Sequence, residues 1–343
     1  MAIVNRIALD LAKDFIQVLA LDESEQELFN KKLRSNKVLA KLATLKRTDD
    51  CEVAVESCGM SHHWRREIEK LGYKTVALPP RFVKAYLQGE KNDANDARAI
   101  AEAASRPNRK SVRIKSIEQQ DLALMVNQRE SYVQTRTEMS NRLRSVLAEY
   151  GIIMPQRISS ILKGVPEILE DADNALTARS RNLVLRQYEL LKTMDEEVKA
   201  MDKLLSAEAN NTDDSRRLMT IPGIGPVTAV SLLALIGDVS DFKRGRNVSE
   251  YLGLVPRQNS SGGKDRLGSI TKKGNTRLRT LLVHGARSAL RVAHKRNDKL
   301  SLWAQDVVKR RGNNIAAVAL ANKHARIIWA MLTHKEDYRM AAA

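Results

Sequence analysis

Apolar and polar positions first alternate in short bursts, then settle into helical spacing for most of the chain. Residues 4–20 (VNRIALDLAKDFIQVLA) read as two short strands rich in Ile, Val and Leu around a polar turn at 12–14. A third strand is expected over 27–36 and a short helix over 37–45. The run EVAV at 52–55 is a compact strand ending at Glu56, followed by a Cys-Gly turn and an amphipathic helix through 64–71. TVAL at 75–78 is another strand, stopped by Pro79-Pro80. A helix starting near Asp93 closes the region at about Pro107. Strand, helix and strand in that order predict a mixed α/β sheet.

From about Ser116 to Ala207 glycine and proline are sparse, and charged residues alternate with Leu, Val and Met at helical spacing. Two or three long helices are expected, broken near 151–155 and again near 164–166, as a coiled-coil arm or bundle. From Leu218 onward the pattern is of short helices separated by glycine-rich turns. The organisation expected is therefore an α/β domain over 1–110, a helical coiled-coil region over 111–210 and a helical domain over 211–343.

Charge sharpens the picture. The balance of 58 Lys+Arg against 41 Asp+Glu gives +17, a field that attracts polyanions, nucleic acid first among them. Aromatic residues at 4% argue against a base-stacking sheet platform. Cys51 and Cys58 are too few for a disulfide framework or a zinc site. Asp10, Lys13 and Asp14 interrupt the first apolar stretch, so no secretory signal is read, and no run approaches the roughly 18 apolar residues of a membrane span. A reduced, cytoplasmic protein is expected.

Four acids form the first candidate constellation. Asp10 lies inside the apolar run IALDLA, where a charge has no structural purpose. Glu56 ends a second apolar strand, and Asp93 and Asp96 stand three apart at a helix start, on one face. Phosphodiester chemistry by metal catalysis needs several carboxylates converging on Mg²⁺, a hard cation that prefers oxygen. Acids on the first and a later central strand, plus a pair on a closing helix, match the order of RNase H-like nucleases. Taken singly, Asp93 reads as a helix cap and Asp10 as a strand-edge residue. The set in order favours the metal.

Two basic or glycine-rich segments follow. In IPGIGPVTA (221–229), Gly223 and Gly225 frame a tight turn into a helix, a helix-hairpin-helix pattern whose N–H groups can accept a phosphate; a plain packing corner is the alternative. The segment 257–282 sets Arg257, Lys264, Arg266, Lys272, Lys273, Arg277 and Arg279 around Ser260 and Ser261. A dense cationic field helps a serine act as nucleophile, although most serines beside glycines are simply loop residues. His62-His63, after Glu56, read as helix-face or phosphate contacts rather than catalytic groups.

The segments ALDLAKDFIQV, VAVESCGMSHHW and KNDANDARAIAEA resemble the amino-terminal RuvC-like domain of the DEDD transposases of IS110 insertion sequences. TIPGIGPVTA, LGLVPRQNSSGGKDRLGSITKKGNTRLRTLLVHGARSAL and ANKHARIIWAML resemble their carboxy-terminal transposase domain, and the HHW and NDANDA forms resemble the IS1111 subgroup. The resemblance implies an RNase H/RuvC-like metal domain with Asp10, Glu56, Asp93 and Asp96 as Mg²⁺ (or Mn²⁺) ligands. It places the catalytic serine on Ser261, which Gly262 follows, with Ser260 the adjacent alternative. It further implies a phosphoserine intermediate, donor and target DNA as substrates, a structured non-coding guide RNA, and a homo-tetramer built from dimers. The competing readings are a RuvC-like junction nuclease that hydrolyses DNA and a non-catalytic nucleic-acid scaffold.

Overall fold

The apolar bursts of the first hundred residues become one five-stranded sheet in the computed structural model, which describes residues 3–90, 92–109, 111–261, 264 and 266–339. Its strands are β1 (Val4–Asp10), β2 (Phe15–Leu21), β3 (Glu27–Arg34), β4 (Arg47–Glu56) and β5 (Lys74–Leu78), in the order β3-β2-β1-β4-β5. β1, β2 and β3 run antiparallel, and β1, β4 and β5 parallel. Helix α1 (Ser35–Ala43) joins β3 to β4, and α2 (Ser61–Lys70) joins β4 to β5. The short turn α3 (Pro80–Val83) and then α4 (Asp93–Ser105) follow.

Strand alternation divides the buried residues between two faces. Ile7, Leu9, Ile16, Val18, Val53 and Val55 pack with Val38, Leu42 and Ile68 from α1 and α2. Ala8, Leu19, Ala54, Val76 and Leu78 pack with Ala97, Ile100, Ala101 and Ala104 of α4. Small residues on both sides of that second contact let α4 lie close on β1 and β4. These elements belong to a unit spanning Met1–Ser116.

The second unit, Ile117–Ala343, opens with α5 (Ile117–Glu149), which is about 50 Å long at the usual helical rise. Then come α6 (Ile158–Glu170) and α7 (Ala178–Asn211), which packs antiparallel to α5. Arg129 bonds Asp202 at 2.5 Å and Arg136 bonds Asp195 at 2.7 Å across the pair. Burial alone would raise the Asp195 carboxyl, but hydrogen bonds from Lys199 and Arg136 hold it below the ordinary carboxylate range.

The break expected near 164–166 is not there: α6 runs through Pro166, and the chain turns at 171–177 instead. A proline withholds the N–H that the carbonyl four residues earlier would accept. That carbonyl, on Leu162, takes the Tyr188 hydroxyl at 3.0 Å, so the helix tolerates the proline.

Nor does the chain divide at 210/211. After α8 (Asp213–Met219), helix α9 (Pro226–Ile236) is buried on several sides. Val230 and Ala234 pack with Ala123, Val126, Leu205 and Ala209 of the long helices, while Ala229, Leu232 and Ile236 enter the carboxy-terminal core. A helix apolar all round needs cover on each side, and the middle helices supply half of it.

That core also holds α10 (Gly245–Tyr251), α11 (Thr276–Ala293) and α13 (Asn313–His334), with α12 (Lys299–Arg311) packed alongside. α13 is longer and more apolar than the sequence pattern suggested, long enough to cross a membrane by length and composition. Its Ala317, Leu320, Ala321, Ala325 and Ile328 are buried in the core. A two-stranded ribbon, β6 (Pro256–Gln258) and β7 (Leu267–Ile270), stands where only a loop was expected.

His324 is fully buried in α13, with no hydrogen-bond partner for either ring nitrogen among the described residues, and burial pushes its imidazole from 6.5 down to about 4. Folded, it stays neutral where the unfolded chain takes up a proton. Its contribution is therefore full above about pH 6.5 and declines as the pH falls toward 4. Thermal melts across that range should show His324→Leu losing less stability with acid than the native chain; parallel curves would contradict the assignment.

Candidate active site and nucleic-acid interface

Register places two of the four acids side by side. Leu9 and Val55 are partners on parallel β1 and β4, and both strands end one residue later, at Asp10 and Glu56. Neighbouring strands lie about 4.8 Å apart. The same level continues outward: Asp10 pairs with Gln17, Gln17 with Lys32, and Glu56 with Leu78. By alternation this row faces α4, one step beyond Ala8 and Ala54. The carboxyl edge of parallel strands is where open α/β sheets place their ligands.

The first turn of α4 brings the other pair. The Asn92 side chain caps the helix by accepting the Asn95 N–H at 2.9 Å, so neither Asp93 nor Asp96 is needed as a cap. Asp96 is half-buried and Asp93 is exposed. Lys32 Nζ bonds Asp93 at 2.8 Å, in an exposed pair of a kind worth only about 0–1 kcal/mol, which a competing cation can displace. Asn30 Nδ2 donates to the Ala94 carbonyl at 3.2 Å, and Gln17 Nε2 donates to Asn30 Oδ1 at 2.6 Å.

These carboxylate oxygens suit a hard divalent cation, with Asp10 and Glu56 supplying adjacent donors at one strand edge. Among the described residues, no three His, Cys, Asp or Glu side chains yet stand close enough to share one ion.

The sequence reading missed the polar residues of β2 and β3. Gln17, buried within an otherwise apolar strand, was a visible signal, but nothing marked Asn30 or Lys32. His62 also has a defined place: its Nδ1 accepts the Lys115 backbone N–H at 3.3 Å. Burial, with Lys115, Arg65 and Arg66 adding to it, pushes its imidazole down, which favours the neutral ring over a cationic phosphate contact. Arg65 and Arg66 donate to the Val112 and Lys115 carbonyls at 2.5 and 2.9 Å, strapping the end of the first unit onto α2.

In the second unit the serines sit at the tip of the β6–β7 ribbon, both exposed. The Ser260 hydroxyl accepts from Gln258 Nε2 at 3.0 Å and from the Arg266 N–H at 3.4 Å. Ser261 makes a backbone bridge to Lys264, and its hydroxyl has no hydrogen bond among the described residues, which exclude Gly262. Arg257, Lys264, Arg266, Lys272 and Lys273 are exposed and form no ion pair among the described residues.

Arg277 and Arg279 differ from the phosphate contacts expected of them. Arg277 bonds Asn127 Oδ1 at 2.9 Å and the Val126 carbonyl, tying α11 to α5, and burial pushes its guanidinium down. Arg279 bonds the Leu252 carbonyl at 3.1 Å and Thr276 Oγ1 at 2.9 Å. Both guanidiniums serve packing. Of the glycine pair, Gly223 has φ +89° and lies against the Gly285 backbone, whereas Gly225 caps α9 in extended conformation with open space beside it.

Residues 7–152 match the DEDD model of IS110 elements, described as "Transposase", and residues 215–301 match the model described as "Transposase IS116/IS110/IS902 family". The chain is 40% identical over 339 residues to the transposase for insertion sequence element IS1111A of Coxiella burnetii, covering 99% of this chain and 92% of that one. A probable family 20 transposase of Pseudomonas aeruginosa is 40% identical over 98% of this chain and 99% of its own. The transposase for insertion sequence element IS1328 of Yersinia enterocolitica is 33% identical, over 96% and 97%. The chain thus falls in the class of insertion-sequence transposases, enzymes that cut and rejoin DNA. The chain belongs to the IS110/IS116/IS902 transposase family.

Proposed function

We propose that the protein moves its own DNA element as a serine-dependent recombinase, with an RNase H/RuvC-like first unit. The observation that carries this reading is the side-by-side termination of β1 and β4 in Asp10 and Glu56, beneath the acidic first turn of α4. Asp10, Glu56, Asp93 and Asp96 would hold a divalent ion, Mg²⁺ or Mn²⁺, which when bound supplies Lewis-acid polarisation of a phosphate oxygen. The exposed Ser261 hydroxyl is the nucleophile. It attacks phosphorus: the Oγ–P bond forms, the bond to the leaving deoxyribose oxygen breaks, the serine proton passes to water, and the leaving oxygen is protonated. Attack by another strand's hydroxyl reverses these changes and releases the serine. The phosphodiester count is conserved, so no nucleotide cofactor is consumed. Arg257, Lys264, Arg266, Lys272 and Lys273 stabilise the added charge and contact DNA. The N–H groups of Val227 and Thr228, in the first turn of α9 after Gly225 and Pro226, donate to a backbone phosphate. The charge of +17 suits a complex of donor DNA, target DNA and a structured guide RNA, assembled on a tetramer.

Ser261→Ala is expected to abolish a covalent protein–DNA adduct on denaturing gels, whereas Ser260→Ala keeps it. Loss of the adduct only in Ser260→Ala would move the nucleophile by one residue. Continued cutting by Ser261→Ala without any adduct in the native protein would favour the hydrolytic junction nuclease.

A further inference from the structure

We propose that Gln17 and Asn30 are positioning residues, a two-amide relay that sets the height of the acidic turn of α4 over the Asp10–Glu56 edge. The inference rests on the reading of those acids as metal ligands, and it assigns metal-site geometry to residues outside the acidic set. Gln17 is 8% exposed in a strand whose other inward positions are all apolar, and a buried amide left unsatisfied is costly. It is the β2 residue directly beside Asp10, on the same face. Its Nε2 donates to Asn30 Oδ1 at 2.6 Å, and Asn30 Nδ2 donates to the Ala94 carbonyl at 3.2 Å. Ala94 lies between Asp93 and Asp96 in the first turn of α4. The relay thus runs from the neighbour of one proposed ligand to the backbone that carries two others.

The alternatives for holding that turn are weaker. Lys32–Asp93 and Arg98–Glu27 also join β3 to α4, but both are exposed ion pairs that salt screens. Lys32, moreover, holds the Asp93 carboxylate that an incoming cation would need. The relay and the ion pair therefore act in opposite senses: the amides fix the turn that carries Asp93 and Asp96, and the lysine occupies one of those acids. Partners behind metal ligands commonly change affinity by about 10–100-fold when removed.

The test measures Mn²⁺ alone binding to the full-length protein by electron paramagnetic resonance, without DNA, so no turnover enters the readout. Asn30→Leu should weaken Mn²⁺ binding about tenfold. Lys32→Gln should strengthen it, and a purely structural role for this corner would not produce opposite signs. If Asn30→Leu does not fold, Gln17→Met keeps the buried volume, removes the donor, and should weaken binding likewise. Native Mn²⁺ affinity in a folded Asn30→Leu or Gln17→Met protein would overturn the proposal. Asp10→Asn separates the two claims. If it weakens Mn²⁺ binding while the amide variants do not, only the relay fails. If it too leaves binding unchanged, the metal-ligand reading itself is wrong.

Discussion

Replacing Asp10 by Asn is expected to lower DNA strand cleavage by about a thousandfold, with the thermal midpoint nearly unmoved. Asn keeps the size of the side chain and a hydrogen-bonding oxygen at the end of β1 while removing the charge, so the backbone pairing of β1 with β2 and β4 is retained. The lost rate corresponds to about 4 kcal/mol of transition-state stabilisation, within the range for a group that helps hold a catalytic metal. Glu56→Gln, one strand across at the same level, should behave in the same way. Asp14→Asn, in the exposed turn between β1 and β2, is the matched control and should cut normally. Cleavage measured on a nicked or junction substrate distinguishes the outcomes, and near-native cutting by Asp10→Asn would remove the acid edge from the mechanism.

The second large effect is on stability, and it separates two glycines that look equivalent in IPGIGP. Gly223 adopts φ +89°, and a Cβ there would stand 2.2 Å from the Gly285 carbonyl oxygen in α11. Gly223→Ala therefore combines backbone strain with a backbone clash, and a loss of about 4 kcal/mol or more is expected. Gly225 is extended, and a Cβ there meets no atom within 4 Å. Gly225→Ala should change stability by less than about 1 kcal/mol. Urea unfolding of the two variants checks the contrast; equal losses would show that Gly223 does not pack on α11 as described. Any DNA-binding defect in the stable Gly225→Ala variant would then bear on the phosphate contact alone.

The first unit was legible because its signals are local. Short Ile- and Val-rich runs, a double proline after TVAL and a helix opening at Asp93 each announce themselves within a few residues. Asp10 and Glu56 were visible for the same reason, one as a charge inside an apolar run and the other as a charge ending one. What the pattern could not supply was register: nothing in EVAVE says that Val55 meets Leu9, and that pairing is what sets the two acids level. Asn30 and Lys32 matter only because the register brings β3 beneath α4. In the second unit, local rules misled. Pro166 predicts a break unless one knows that Tyr188, twenty-two residues later, will take the freed carbonyl. Arg277 and Arg279 look like free cations in a basic stretch, and only tertiary packing reveals their internal partners. The motif 221–229 reads as one turn, but the need for glycine at Gly223 comes from Gly285 in a different helix.

The paired arginines and aspartates of α5 and α7 fix how the two long helices can be aligned. Arg129 and Arg136 are one heptad apart, as are Asp195 and Asp202. Sliding one helix past the other by a single turn would break both interhelical bridges, leaving Asp195 only its bond from Lys199 on the same helix, and a seven-residue slip would restore just one of the two. The two helices are therefore indexed in one register by charge as well as by the apolar seam.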